Sequence, residues 1–294
     1  MVKIELARSA AGKWSRQSEA VIAAEAVYNY AQAVNDTNPL YADGTVPPVY
    51  PAVLGVPIAS AQVSAILGRE HYDFGGVHGE QELQVFRPLQ MGTTVRIRSR
   101  LIGVHPKPSG TTCVSEIEMT DAGGELLNRQ YSTLFLRGAL ASREFGPRIE
   151  WRDTVARTLP AREVRYLVTA DQSLRYARAS GDFGAYALDQ RAAEDAGFSR
   201  PILHGLCTMA FAARGVIDLF GAADPTRLRR LGVRFAAPLY PGQPITIRAR
   251  SVDEDGVRRI GFDVFSGAGV AVISRGRAEI VASTTDTSSA GENG

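Results

Sequence analysis

Hydrophobic and polar positions alternate along some stretches of this 294-residue chain and run almost unbroken along others. Alternation over residues 94–102 (TVRIRSRLI), 112–119 and 125–136, and again over 244–252, 259–265 and 270–281, predicts strands with one buried face. Asp121-Ala122-Gly123-Gly124 and Ser266-Gly267-Ala268-Gly269 fall between strands, where hairpin turns need glycine. Residues 53–67 and 204–220 are apolar on nearly every side, so they predict helices enclosed by other structure. A helical stretch precedes each of them, at 19–33 and 173–180. The order short helix, loop, buried helix and antiparallel meander therefore occurs twice. It predicts an α+β fold in which a sheet curls round a central helix in each half.

Residue identities support the duplication. Residues 47–68 align with 197–218, so that Pro51 matches Pro201 and Gly55 matches Gly205 at an offset of 150. Residues 86–100 align with 235–250 at the same offset, matching Pro88, Leu89, Gly92, Ile97 and Arg98 to Pro238, Leu239, Gly242, Ile247 and Arg248. The domain reading is a first copy over 1–140, a charged linker over 141–165, a second copy over 166–282 and a disordered polar tail over 283–294.

Composition narrows the function classes. A hydrophobic fraction of 45% and a formal charge of +2 fit two ordinary cores, and no basic block is interleaved with aromatics, which excludes nucleic acid as the expected partner. The start, MVKIELARSAAGKWS, lacks the apolar stretch of a secretory signal, and no later run is read as spanning a bilayer, so the expectation is a cytoplasmic protein without a membrane partner. Cys113 and Cys207 are too few for a metal centre and are expected as buried thiols; no metal and no redox cofactor is implied by any spacing.

Candidate chemistry concentrates in residues 180–205, which read Ser180-Gly181-Asp182-Phe183-Gly184-Ala185-Tyr186-Ala187-Leu188-Asp189, then Ala193, Gly197-Phe198 and Arg200-Pro201-Ile202-Leu203-His204-Gly205. This segment resembles the S-G-D-x-N-P-L-H-x-D and A-x-x-x-G-F-x-R-P-I-L-H-G motifs of the MaoC-like double hot-dog family, the (R)-specific enoyl-CoA hydratases and dehydratases, and it aligns without a gap. The resemblance implies a double hot-dog, a small-molecule acyl substrate carried on coenzyme A or a carrier protein, and edge-to-edge association into a homodimer. It also implies that Gly184, Ala185, Tyr186 and Ala187 replace Asn, Pro, Leu and His, the last of which is catalytic in the family.

Moving water onto or off an enoyl thioester requires a proton at the alpha carbon and a water or hydroxide at the beta carbon. By resemblance, the family divides this between its Asp and its His, while a backbone N–H at a helix start polarises the thioester carbonyl. Asp182 and the Gly205 amide are then the catalytic expectations, with the turn-capping role of an Asp before a glycine-containing loop as the alternative for Asp182. Tyr186, either filling the volume beside Ala187 or supplying an acid, is an auxiliary candidate. So are His204, expected chiefly to shape its loop, and His78, placed just before a strand near the cleft between copies. Asp189 is read as structural. In the first copy Asp36-Thr37-Asn38-Pro39-Leu40-Tyr41 repeats the motif with Tyr at the histidine position. Asp36, Asn38 and Tyr41 are expected to line the substrate tunnel together with Gly184 and Ala187.

Three functions stay open at this level. One is a modified hydratase or dehydratase on a thioester or polyketide-like substrate. A second is a biosynthetic cyclase on the same fold, closing a ring by intramolecular conjugate addition with the substrate's own nucleophile. The third is a non-catalytic subunit of a hot-dog dehydratase pair.

Overall fold

A computed structural model describes residues 2–4, 11–67, 76–150 and 155–281; the tail expected over 283–294 lies outside them. The first copy runs β1 (Val2–Ile4), β2 (Ser18–Val21), α1 (Ala24–Ala33), α2 (Tyr50–Leu67), β3 (Gly76–Val85), β4 (Thr94–Lys107), β5 (Gly110–Asp121), β6 (Leu126–Arg137) and β7 (Ala139–Ala141). The second runs β8 (Arg162–Val168), α3 (Gln172–Ser180), α4 (Gln190–Asp195), α5 (Gly205–Phe220), β9 (Leu228–Phe235), β10 (Gln243–Glu254), β11 (Val257–Ser266) and β12 (Ala271–Val281).

One sheet carries both copies, in the order β2-β4-β5-β6-β3-β9-β12-β11-β10-β8. Its two halves have the same order read outward from the centre, so the repeat in sequence becomes an approximate two-fold in space. The halves join where β3 pairs antiparallel with β9, from Glu80 opposite Arg234 to Gln84 opposite Arg230. Helix α2 packs on β4, β5 and β6, and α5 packs on β8, β9 and β10. Glycine lets both helices lie close to the sheet: a Cβ on Gly55 would meet Gln130 and Ile117 at 3.0 Å, and one on Gly215 would meet Ile247 at 3.0 Å. A sheet wrapped round a buried helix, twice over, is what the repeat predicts and is the double hot-dog that the resemblance implies.

Several local expectations change. Residues 19–21, expected at the start of a helix, belong to β2 on the edge of the sheet beside β4. Residues 162–165, expected in the linker, begin β8 on the opposite edge, beside β10. His78 lies within β3 rather than before it. Helix α2, with 18 residues and a mean hydropathy of 1.5, is long and apolar enough to cross a bilayer, contrary to the expectation that no run is. Its apolarity serves the core, where Tyr50, Pro51, Ala52, Val53, Gly55, Ala59, Val63 and Leu67 are buried. Cys113 and Cys207 are free and buried, as expected.

The short helices α1 and α3 pack against each other across the two-fold. Within this segment the repeat offset is 146: Tyr30 corresponds to Tyr176, Asp36 to Asp182 and Tyr41 to Ala187. The rings of Tyr30 and Tyr176 meet edge to face at 6.1 Å, and Tyr30 meets Tyr50 at 5.3 Å. The loop after each short helix is thereby anchored at the junction of the copies.

Candidate active site

Helix α3 ends at Ser180 with Gly181 in the left-handed region, φ 74°, which turns the chain into the loop that carries Asp182. The Asp182 amide donates to Ser180 Oγ at 3.2 Å, and Asp182 Oδ1 accepts the Gly184 amide at 3.1 Å. The turn-capping role therefore exists, but it occupies one carboxylate oxygen only. Asp182 Oδ2 has no hydrogen bond among the described residues. The loop is held from below by His204, whose Nε2–H donates to the Asp182 carbonyl at 2.9 Å. A backbone carbonyl can only accept, so His204 Nε2 carries a proton. Burial holds its pKa below the usual 6.5, opposed by the charge of Asp182. His204 thus shapes the loop.

The first copy shows what Asp182 lacks. Asp36 Oδ1 accepts the Asn38 amide at 3.3 Å, the same turn, but Asp36 Oδ2 accepts the Tyr41 hydroxyl at 2.6 Å. Asp36 and Tyr41 are both buried. Burial raises the Asp36 pKa despite the Tyr41 hydrogen bond, and burial together with the Asp36 charge raises that of Tyr41. Tyr41 closes its copy's carboxylate, whereas Ala187 at the equivalent position reaches nothing and leaves Asp182 Oδ2 uncovered.

Asp182 faces a cavity of about 370 Å³ between the copies. Its walls include Val53, Val56, Pro57, Ser60 and Val63 from α2, His78 from β3, Ser115, Ser132 and Leu134 from β5 and β6, and Tyr176, Gly184, Tyr186 and Leu206 from the second copy. Asp36, Asn38 and Tyr41 are absent from this lining, so the expectation that they line the substrate space is not met: Asp36 and Tyr41 pair with each other, and Asn38 donates to the Ala223 carbonyl at 2.6 Å. Ala187 is buried behind the loop and is also absent from the lining. Asp189 caps α4 by accepting the Ala192 amide at 2.8 Å, a structural role.

A second space of about 180 Å³ adjoins the first and is lined by His78, Arg137, Tyr186, Phe198, Gly205, Thr208 and Phe235, among others. His78 and Tyr186 line both, so they stand where the two meet. Gly205 is the first residue of α5, with His204 as its N-cap, and its amide belongs to the helix-start N–H groups that have no partner within the helix. The helix dipole makes that end favourable to negative charge. A Cβ on Gly205 would touch the Phe235 ring at 3.2 Å, so glycine keeps this approach open.

Ser60, Ser115, Ser132 and Tyr176 were invisible as site residues in the sequence. Only Tyr176 carries a sequence signal, its match to Tyr30 in the repeat. The serines reach the cavity through strand register and helix phase, which a motif search does not read.

His78 is held well below the usual 6.5, at about 4, chiefly by burial, with Gln81, the Glu80 backbone and the Asp182 charge pulling upward. Both His78 and His204 therefore bind protons more weakly folded than unfolded. Each contributes stability that is complete above about pH 6.5 and is lost as pH falls, for His78 down to about 4. Thermal stability is expected to weaken across this window, and the loss should shrink throughout it in His78→Gln; an identical profile for the variant would contradict the assignment.

Comparison with known proteins places this geometry. Residues 154–266 match the family described as MaoC like domain, and residues 9–129 match the FAS1-like, dehydratase domain region. The chain is 34% identical over 195 residues to peroxisomal multifunctional enzyme type 2 of Drosophila melanogaster, covering 63% of this chain and 31% of that protein. It is 31% identical over 181 residues to the peroxisomal enoyl-CoA hydratase 2 of Arabidopsis thaliana, covering 58% of each. The chain thus spans less than two thirds of the length of these curated relatives. Among solved structures, a MaoC-like dehydratase from Phytophthora capsici has the same fold, with a TM-score of 0.80 over 93% of this chain and 96% of that one at 23% identity.

Proposed function

The chain belongs to the MaoC-like family, and we propose that it is a hydro-lyase that adds water to, or removes it from, an acyl thioester. The observation that carries this reading is the Asp182 carboxylate, which has one oxygen without a hydrogen bond among the described residues and lines a cavity adjoining the space lined by Gly205. A thioester whose carbonyl oxygen rests on the start of α5 extends its C2–C3 bond past Tyr186 and His78 into the cavity. Asp182 moves the proton there, and the helix-start amide stabilises the enolate oxygen that develops. Arg137, on the wall of the outer space, supplies a cation for the phosphate of a pantetheine arm, whether coenzyme A or a carrier protein brings it.

One observation favours ring closure as a second reading. Ser60, Ser115 and Ser132 give the inner wall hydroxyls that a plain alkyl chain does not need. An acyl group with a hydroxyl of its own would use them, and that hydroxyl would serve as an internal nucleophile. The free carboxylate, by contrast, argues against a non-catalytic subunit.

Hydration of short and long trans-2-enoyl thioesters, followed by loss of the conjugated absorbance and by incorporation of labelled water at C3, separates these readings. The lyase reading expects label in a 3-hydroxyacyl product. Cyclised product without label, from an enoyl thioester bearing a distal hydroxyl, would replace it with the second reading. No turnover of any of these substrates would overturn both.

A further inference from the structure

Adding water across C2–C3 of a thioester leaves two hydrogens to be placed: one moves to C2 and the other stays on the new hydroxyl. Asp182 handles the first under the reading above, on which this inference rests. The second needs an acceptor on the other side of the water. Among the described residues, the titratable side chains lining the cavity are Asp182, His78, Tyr176 and Tyr186. Phenols ordinarily keep their proton to about pH 10, and burial pushes Tyr176 higher still. His78 is the group that offers a nitrogen lone pair.

Its place and its tautomer are both fixed. His78 comes from β3 of the first copy, stands where the two spaces meet, and packs its ring 5.1 Å from that of Phe235 beside Gly205. Its Nε2 lies 3.0 Å from Gln81 Oε1 and 3.2 Å from Ser132 Oγ. A chain of buried amides sets the polarity. Gln130 Nε2 donates to the Pro51 carbonyl at 3.0 Å and to Asn128 Oδ1 at 3.1 Å, so its oxygen faces Gln81. Gln81 Nε2 donates to that oxygen at 3.2 Å, so Gln81 turns its own oxygen to His78. Gln81 and Gln130 are fully buried, which holds the relay rigid. The Pro51 carbonyl, an obligate acceptor, therefore dictates a proton on His78 Nε2, and burial, which keeps the ring neutral, leaves the lone pair on Nδ1.

We propose that His78 is a second catalytic residue, supplied by the first copy, whose neutral imidazole accepts a hydrogen bond from the reacting water while Asp182 holds that water from the other side. In hydration one water O–H bond breaks, and its proton passes to the Asp182 carboxylate as the oxygen bonds to C3. The C2–C3 π pair moves to C2 and onto the thioester oxygen at the Gly205 amide. The carboxyl then returns the proton to C2. The second water hydrogen stays on oxygen throughout, donated to His78, and becomes the hydrogen of the product hydroxyl. Dehydration runs the same steps backward. A histidine that never needs to become charged suits a group that stays neutral at neutral pH.

The test compares a saturated acyl pantetheine with its 3-hydroxyacyl counterpart, as ligands and in the hydration assay. The wild type is expected to bind the hydroxylated ligand about tenfold more tightly, the worth of one hydrogen bond, and His78→Ala to lose that preference together with roughly 10²-fold in kcat. The His78 Nδ1 resonance of the nitrogen-labelled wild type should shift with the hydroxylated ligand alone, a readout that stands even where His78→Ala does not fold. Equal shifts with both ligands, or an unchanged preference in His78→Ala, overturn the role of His78. A wild type that binds neither ligand and hydrates no enoyl thioester overturns the lyase reading instead.

Discussion

Asp182→Asn is expected to lower kcat for hydration by roughly 10²- to 10⁴-fold, with little change in stability. Asparagine keeps the oxygen that accepts the Gly184 amide, so the turn after α3 survives. What it loses is the other oxygen, replaced by an amide nitrogen that cannot take a proton at neutral pH. Asp182 is exposed, and its backbone carbonyl still anchors His204, so thermal unfolding should stay within about 0.5 kcal/mol of wild type. KM should move far less than kcat, because the carboxylate acts on the water and not on the acyl chain. The first copy provides the control. Asp36→Asn breaks a buried pairing with Tyr41 and should cost stability while leaving kcat near wild type. A kcat for Asp182→Asn within threefold of wild type would remove Asp182 from the chemistry and leave it as a turn cap.

Those two aspartates also show how far the sequence could be read. Motif and spacing bring out Asp182, Gly184, Tyr186 and Gly205 because they sit in one contiguous stretch around one helix start. The same motif logic puts Asp36, Asn38 and Tyr41 in the substrate space. It fails there because a tyrosine five residues on from the aspartate folds back on the carboxylate and seals it. The resemblance makes position 187 look like a loss, and the geometry gives the alanine a consequence: the second carboxylate oxygen stays open.

The fold divides along similar lines. Buried helices and outer meanders follow simple periodicity, whereas β3 and β9 do not, since both lie at the centre of the sheet, where β3 buries polar side chains and β9 carries half-buried arginines. Gln81 and Glu82 are almost wholly buried in β3, and Arg229 and Arg230 break the apolar run of β9. Alternation assumes a wet face and a dry face. At this seam the polar residues find each other instead, and the pattern is legible only once both strands are in register.

Glu82→Ala should test what that seam is worth, with an expected loss of about 3–5 kcal/mol, the cost of stripping a buried ion pair of one partner. Glu82 is 2% exposed on β3 of the first copy, while both of its cationic partners belong to the second. Its Oε1 accepts from Arg230 Nε on β9 at 2.9 Å, and its Oε2 accepts from Arg277 on β12. Arg277 is itself largely buried and also reaches the Glu150 carbonyl at 2.8 Å. Alanine takes this carboxylate from the largely buried Arg277, while the partly exposed Arg230 keeps Glu279 at 3.5 Å, so the melting temperature should fall by roughly 10 °C. Removing the exposed Glu125, which pairs with Arg87 at 3.3 Å, should cost less than about 1 kcal/mol and serves as the comparison. Because Glu82 shares β3 with His78 and Gln81, the variant should lose activity at temperatures well below its own midpoint, as the copies separate locally before the whole sheet melts. A melting temperature within two or three degrees of wild type would mean that the β3–β9 ladder and the apolar residues around it hold the copies together without the ion cluster.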